Sequence, residues 1–287
     1  ADNNTALGYL ALLDNTTGAN NTALGSLTLC SNTTGTENTA LGKDSLTANT
    51  TGAQNTAVGH SALKTNTTCG NLTAVGYGAL CANTTGTNDT AMGHASLDAN
   101  TSGSDNVGFG TNTLGSNTSG GNNTAIGSCA LQANTTASNN TAVGLRAGLA
   151  ITTGYQNTAL GQNALDSTTT ANHNTAIGAQ TLAANTTGYA NTAVGYNALC
   201  THTTGNSNTA VGDHAMKLTT TGTFNVAVGD NALCANTTAS SNVAIGRDTM
   251  FANTTGANNV AVGALALDAN TTGTRNTAVG SAALGAN

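Results

Sequence analysis

Apolar positions along this chain recur with a period of 17, not with the periods of about 2 or 3.6 that mark an ordinary strand or helix. One unit, Asn191 to Ser207, reads NTAVGYNALCTHTTGNS and defines positions 1 to 17. Units begin at residues 4, 21, 38 and every 17 thereafter to 276, without insertion or deletion, and the last stops at its twelfth position, Asn287. Position 4 is always apolar (Leu7, Val58, Met92, Phe109, Ile126, Val279). Position 9 is Leu in fourteen of the seventeen units, with Met216 and Met250 close in size, and Gly148 followed by Leu149 is the single slip. Position 3 is Ala everywhere except Gly108, and position 5 is Gly in every unit.

Short strands are the elements this pattern predicts. In a strand spanning positions 2 to 4, residues 2 and 4 share one face and residue 3 takes the other. Positions 4 and 9 read as the core anchors. The constantly small position 3 then reads as a seam packed closely against another chain or sheet, with Ala176 and Ala244 as representatives. Gly at position 5 reads as a corner that requires positive φ or a close backbone approach. Positions 12 to 15, mostly Asn-Thr-Thr-Gly, supply a turn, and their first Thr is never replaced. Asn dominates positions 1 and 12, which predicts ladders of side-chain amides bonded from coil to coil. Positions 6, 7, 10, 16 and 17 carry most of the charge, all the Tyr and most of the Cys, and are expected to face solvent. Two glycines and several β-branched or turn residues per unit oppose any helix.

The fold class expected is therefore all-β, a parallel β-solenoid (β-roll or β-helix) of seventeen 17-residue coils. Residues 1–287 would form one repetitive rod, roughly 80 Å long at about 4.8 Å per coil.

Composition excludes a thick-cored globular fold and a disordered chain. Apolar residues are 38% and charged residues only 6%, with a net charge of −6 and no Pro. That is too little apolar mass for a thick core and too little charge for a typical disordered chain. Six Lys and Arg argue against nucleic acid as a partner. No apolar run is long enough for a membrane span.

Candidate chemistry is sparse. The five His (His60, His94, His173, His202, His214) fall at four different positions, so no metal set is expected. Cys30, Cys81, Cys200 and Cys234 occupy position 10, Cys129 position 7 and Cys69 position 15. Cys200 and Cys234 lie two coils apart, about 9.6 Å, beyond the reach of a disulfide. Asp213, Asp230 and Asp248 form a small acidic row on consecutive coils. Twelve Asn-Thr-Thr or Asn-Thr-Ser triplets (Asn15, Asn32, Asn49, Asn66, Asn83, Asn100, Asn117, Asn134, Asn185, Asn236, Asn253, Asn270) match the glycosylation sequon and double as ladder and turn elements. No catalytic, cofactor-binding or metal-binding residue is assigned, no cofactor is expected, and the chain is not expected to be an enzyme.

The segments SNVAIG (Ser241 to Gly246), NNVAVG (Asn258 to Gly263) and FNVAVG (Phe224 to Gly229) resemble the NSVAIG core of the YadA-like head repeat of trimeric autotransporter adhesins. Related coils occur in phage tail fibres. The period of 17 and the Asn-Thr-Thr-Gly segment depart from that pattern. The resemblance implies a left-handed β-roll, three chains side by side, located extracellularly or at a cell or virion surface.

Two functions follow as expectations. The first is a structural fibre subunit, adhesin or tail-fibre shaft whose partner is itself, as a trimer or filament, and which attaches to a host or abiotic surface. Its terminal coils are as regular as the middle ones, so head-to-tail stacking would join Asn287 to Ala1 nearly in phase. The alternative is an ice-binding solenoid using Thr at position 14 and Asn at position 12 as a two-rank array, with the Asn rank interrupted at Ile151, Thr168, His202 and Thr219.

Overall fold

The computed structural model describes residues 1–285; Asn287, and with it the expected head-to-tail junction, lies outside the described residues. Chain contacts divide it into two compact units, Ala1–Asn140 and Thr141–Asn287. Among the described residues the only regular elements are three-residue strands, one per coil, and there is no helix.

In the first unit, strands β1 (Thr5–Leu7) to β8 (Thr124–Ile126) pair in parallel, each with the next at a separation of 17 residues. The register is strict, with Thr5 beside Thr22, Ala6 beside Ala23 and Leu7 beside Leu24. In the second unit, β9 (Thr141–Val143) to β17 (Thr277–Val279) repeat the arrangement, as in Thr175 beside Thr192 and Ala176 beside Ala193. The expected parallel β-solenoid is thus present in each unit.

The strand turns sharply at position 5, where φ lies between 119° and 144° in every coil. A Cβ on Gly178 would also come within 2.5 Å of Gly195 O on the next coil. Both demands, positive φ and close approach, hold at once, so only Gly fits. Outside the strands the ladder continues through irregular backbone. Thr33 N donates to Thr50 O at 2.9 Å, and Leu29 N donates to Ser45 O at 3.2 Å. Coil-to-coil bonds of this kind are joined by tight turns within each coil, as where Asn32 N donates to Leu29 O at 3.1 Å and Ser45 N to Gly42 O at 3.3 Å.

Three non-glycine positions per coil adopt the left-handed region. In the coil of Asp89 these are Ala95 (φ 50°), Leu97 (φ 54°) and Asp105 (φ 59°), at positions 7, 9 and 17. The core Leu therefore sits on backbone that an L-residue occupies at a cost of about 1 kcal/mol or more. The geometry lets one 17-residue turn close around a very thin interior.

That interior consists of positions 1, 3, 8, 9, 12 and 15. Leu97, Leu114, Leu182 and Leu199 at position 9 are fully buried, and each contributes about 1.5–3 kcal/mol by removal from water. Position 9 is a core anchor, as expected. The Ala column at position 3 is a correction. Ala23, Ala176, Ala244 and their counterparts in every coil but the first are buried inside their own chain, so this column is no seam to a partner. The wall opposite is visible at Gly108, where a Cβ would meet Ser96 Oγ at 2.5 Å, Thr113 Oγ1 at 2.9 Å and Leu97 Cδ1 at 3.4 Å. Those two hydroxyls bond each other at 2.7 Å, and the backbone gives way to Gly at that coil. Near the slip at position 9, Gly148 keeps the repeat in phase with φ 61°, and Ile151, 1% exposed, brings apolar volume to the same coil.

Candidate functional site

With position 3 turned inward, positions 2 and 4 must point outward, because alternate side chains of a strand take opposite faces. The burial pattern of nearly every strand is an enclosed Ala between two exposed or half-exposed neighbours. Position 4, expected in the core, is instead an exposed apolar rank. In the first unit it includes Leu24, Leu41, Met92, Phe109 and Ile126; in the second, Ile177, Val228, Ile245 and Val279. Exposure is 38% for Ile177, flanked by neighbours of its rank, and 71% for Val279. Position 2 supplies a parallel rank of Thr, with Val at 107, 226, 243 and 260. Neither rank contains a charged residue. Each unit therefore presents a continuous uncharged sheet face, the chief candidate for function.

A second rank, at position 14, is exposed Thr or Ser throughout, from Thr17 to Thr272. Position 12 does not accompany it. Asn32, Asn49, Asn117 and Asn253 are fully buried, so the two-rank array of Thr at 14 and Asn at 12 does not exist on one face.

The buried Asn columns form the expected ladders. At position 12 the amide nitrogen donates to the preceding coil and to its own position-15 carbonyl, as in Asn117 to Asn100 Oδ1 (2.9 Å) and to Gly120 O (3.0 Å). At position 1 the amide oxygen accepts the next coil's backbone N–H, and the nitrogen donates to a position-15 carbonyl. Asn191 shows both, accepting from Asn208 N at 2.9 Å and donating to Gly205 O at 3.0 Å. The invariant Thr at position 13 has the same logic, since Thr33 Oγ1 donates to Thr50 O at 3.0 Å and Thr237 Oγ1 to Thr254 O at 3.1 Å. The unit Ala1–Asn140 keeps position 12 as unbroken Asn and breaks position 1 at Leu72 and Asp89. The unit Thr141–Asn287 keeps position 1 and breaks position 12 at Ile151, Thr168, His202 and Thr219.

This bonding disposes of the sequons. All twelve Asn belong to position 12; ten are fully buried, Asn270 is 3% exposed and only Asn15 is half-exposed. Their amides are engaged inward, so the folded coil offers no acceptor nitrogen there.

The remaining candidates do not converge. His60, Tyr77 and His94 at position 6 stack with ring centroids 5.3 Å apart and planes within 9°. Tyr155 meets His173, and Tyr196 meets His214, edge to face. Of the acidic row, Asp213 lies 3.1 Å from His214 Nδ1 and Asp248 lies 3.3 Å from Arg247. Among the described residues no three His, Cys, Asp or Glu gather as a metal set. All six Cys are unpaired, five half-exposed and Cys69 buried; burial raises the thiol pKa of Cys30, Cys69, Cys81, Cys200 and Cys234. Position 7, expected at the surface, is partly enclosed, with Ser61 and Asn197 buried. Among the described residues no helix is long and apolar enough to cross a membrane.

Sequence reasoning missed the outward rank because it equated apolar with inward. One signal was available: position 9 tolerates only Leu or Met in sixteen units, whereas position 4 ranges from Val to Phe, a spread a close-packed interior does not accept. No family model matches the chain, and no curated protein is significantly similar to it.

Proposed function

We propose that the chain is a structural, non-enzymatic subunit that associates with copies of itself through the outer face of its strands. The observation that carries this reading is the uncharged double rank at positions 2 and 4. Ranks of Leu, Ile, Val, Met and Phe left in water cost about 25 cal/mol for each Å² of apolar surface, and a second copy offers the same ladder for burial. Within each unit a parallel ladder with a strict coil repeat presents the same residue columns coil after coil, so a second copy meets it in register. The resemblance to the adhesin head repeat supports a three-chain, left-handed arrangement outside the cell, serving as the head or shaft of a surface-attached fibre.

The test is sedimentation velocity on the purified chain and on the variant Ile177→Lys, Val194→Lys, Val211→Lys, with circular dichroism as the control for fold. Association in the parent and its loss in a folded variant are expected. A parent that sediments as a monomer at tens of micromolar overturns the proposal.

The same face favours one alternative. Its Thr rank beside β-branched Val and Ile forms two parallel rows in strict coil register, the kind of array an ice-binding surface requires. Thermal hysteresis in the parent, abolished by the same triple variant, supports ice binding; its absence removes that reading.

A further inference from the structure

The two Asn ladders are almost entirely uncharged, yet each unit carries one ionisable residue in the ladder it breaks. In the unit Ala1–Asn140 this is Asp89 at position 1, fully buried. Its Oδ1 accepts Asn106 N at 2.8 Å, as an Asn amide oxygen does. Its Oδ2 takes the place of the amide nitrogen, which elsewhere in the column donates to the position-15 carbonyl: Asn55 to Cys69 O at 2.9 Å, Asn106 to Gly120 O at 2.9 Å. A carboxylate has no hydrogen to give there; a carboxylic acid has one. The neighbourhood already bends to compensate. Asn100 Nδ2 donates to Asp89 Oδ2 at 3.1 Å, and its ladder bond to Asn83 Oδ1 is stretched to 3.5 Å. The ionisable groups that bear on Asp89 are Asp105 and the Cys69 thiol, and neither supplies positive charge. His94 and Asp98 stand on surface positions of the same coil. Burial is the largest influence, and with Asp105 it pushes the carboxyl up to about 7 against the hydrogen bonds from Asn106 and Asn100.

In the unit Thr141–Asn287 the counterpart is His202 at position 12, also fully buried. Its Nε2 donates to Gly205 O at 2.7 Å, reproducing the bond Asn185 Nδ2 makes to Gly188 O at 2.9 Å. That bond places the proton on Nε2 in the neutral ring and leaves Nδ1 and the Asn185 Oδ1 of the preceding coil without hydrogen-bond partners. Around it, Cys200 on its own coil and Asp213, His214 and Lys217 on the next occupy positions 6, 7 and 10, and none is hydrogen-bonded to the ring. Burial lowers the imidazole's affinity for a second proton, opposed by the carbonyls of Gly205 and Thr219.

We infer that these residues are pH-sensitive opening points of opposite sign: Asp89 loosens the coils of the first unit as pH rises, and His202 loosens those of the second as pH falls. The folded Asp89 keeps a proton that an opened coil releases above its ordinary value of 3.8, so opening becomes easier between about pH 4 and 7 and then levels off. Folded His202 refuses a proton that an opened coil accepts below 6.5, so opening becomes easier as pH falls through that value. Local opening, rather than global unfolding, is the expected event, because each coil contacts only its neighbours.

Hydrogen exchange of the full chain, followed by mass spectrometry from pH 4 to 8 and corrected for intrinsic exchange, tests this with Asp89→Asn and His202→Asn. Both variants restore the residue of the majority of coils, so both are expected to fold. For peptides covering 83–106, protection in the parent falls by roughly tenfold per pH unit between pH 5 and 7 and stays level in Asp89→Asn. For peptides covering 199–219, protection in the parent falls below about pH 6 and not in His202→Asn. Coincident pH profiles for parent and Asp89→Asn overturn the first half; coincident profiles for parent and His202→Asn overturn the second.

Discussion

Exchanging the two faces of one strand gives the sharpest prediction. Ala176 and Ile177 are adjacent, and the sequence pattern alone puts Ile177 in the core and Ala176 against a partner. The structure reverses them, with Ala176 fully buried and Ile177 38% exposed. Leu at 176 adds three carbons where the equivalents of the residues that wall Gly108, namely Ala164, Leu165 and Thr181, are all fully buried. At the equivalent Gly108, even a Cβ would lie 2.5–3.4 Å from its three nearest neighbours. Overpacking of this kind costs about 1–3 kcal/mol, and the upper end applies here because the coils above and below are equally tight. Ile177→Lys keeps its flexible head in water and changes stability by at most about 1 kcal/mol, the span of strand propensity. Urea denaturation followed by circular dichroism measures both, with sedimentation velocity alongside. Ala176→Leu should lower the unfolding midpoint, while Ile177→Lys should leave the midpoint nearly unchanged and weaken association. An Ala176→Leu chain as stable as the parent but unable to associate would mean that position 3 faces a partner, and the inward assignment would fall.

Three further outcomes follow from the ladders and corners. Gly178→Ala forces a Cβ to 2.5 Å from Gly195 O at φ 127°, so a loss of at least about 2 kcal/mol is expected; a loss below 0.5 kcal/mol in thermal unfolding would be incompatible with that geometry. Asn117→Ala deletes the bonds to Asn100 Oδ1 and Gly120 O and takes from Asn134 Nδ2 its 2.8 Å bond to Asn117 Oδ1, leaving it only Ala137 O; chemical denaturation should show about 2–3 kcal/mol lost, whereas Thr186→Val, which removes only the 3.1 Å bond to Thr203 O, should cost about 1 kcal/mol. Asp89→Asn should stabilise the chain by up to about 4 kcal/mol at pH 8 and by nothing at pH 3, because the carboxyl is raised from 3.8 to about 7; equal melting-temperature shifts at both pH values would show that its ionisation plays no part.

The repeat, its unbroken phase and its residue columns were legible from the chain alone. An invariant Gly, an invariant Thr and near-invariant Asn columns each correspond to one backbone demand or one coil-to-coil hydrogen bond, and a strict period of 17 permits little but stacked coils. The corner at Gly8 and the Asn ladders could be assigned a purpose from the chain, because their constraints are local or act between identical neighbours, whereas the hydroxyl bond that fixes Thr33 was not legible there. Sidedness could not be assigned in this way. A three-residue strand tells which residues share a face but not which face is enclosed, and that depends on how far the opposite wall stands. Left-handed φ at positions 7, 9 and 17 draws that wall in until only Ala or Gly fits opposite Leu. Tertiary structure alone therefore decided that Ile177 meets water, that the sequon Asn face inward, and that Asp89 and His202 are buried. The physical reason is the thinness of the coil, which a column of residue types does not disclose.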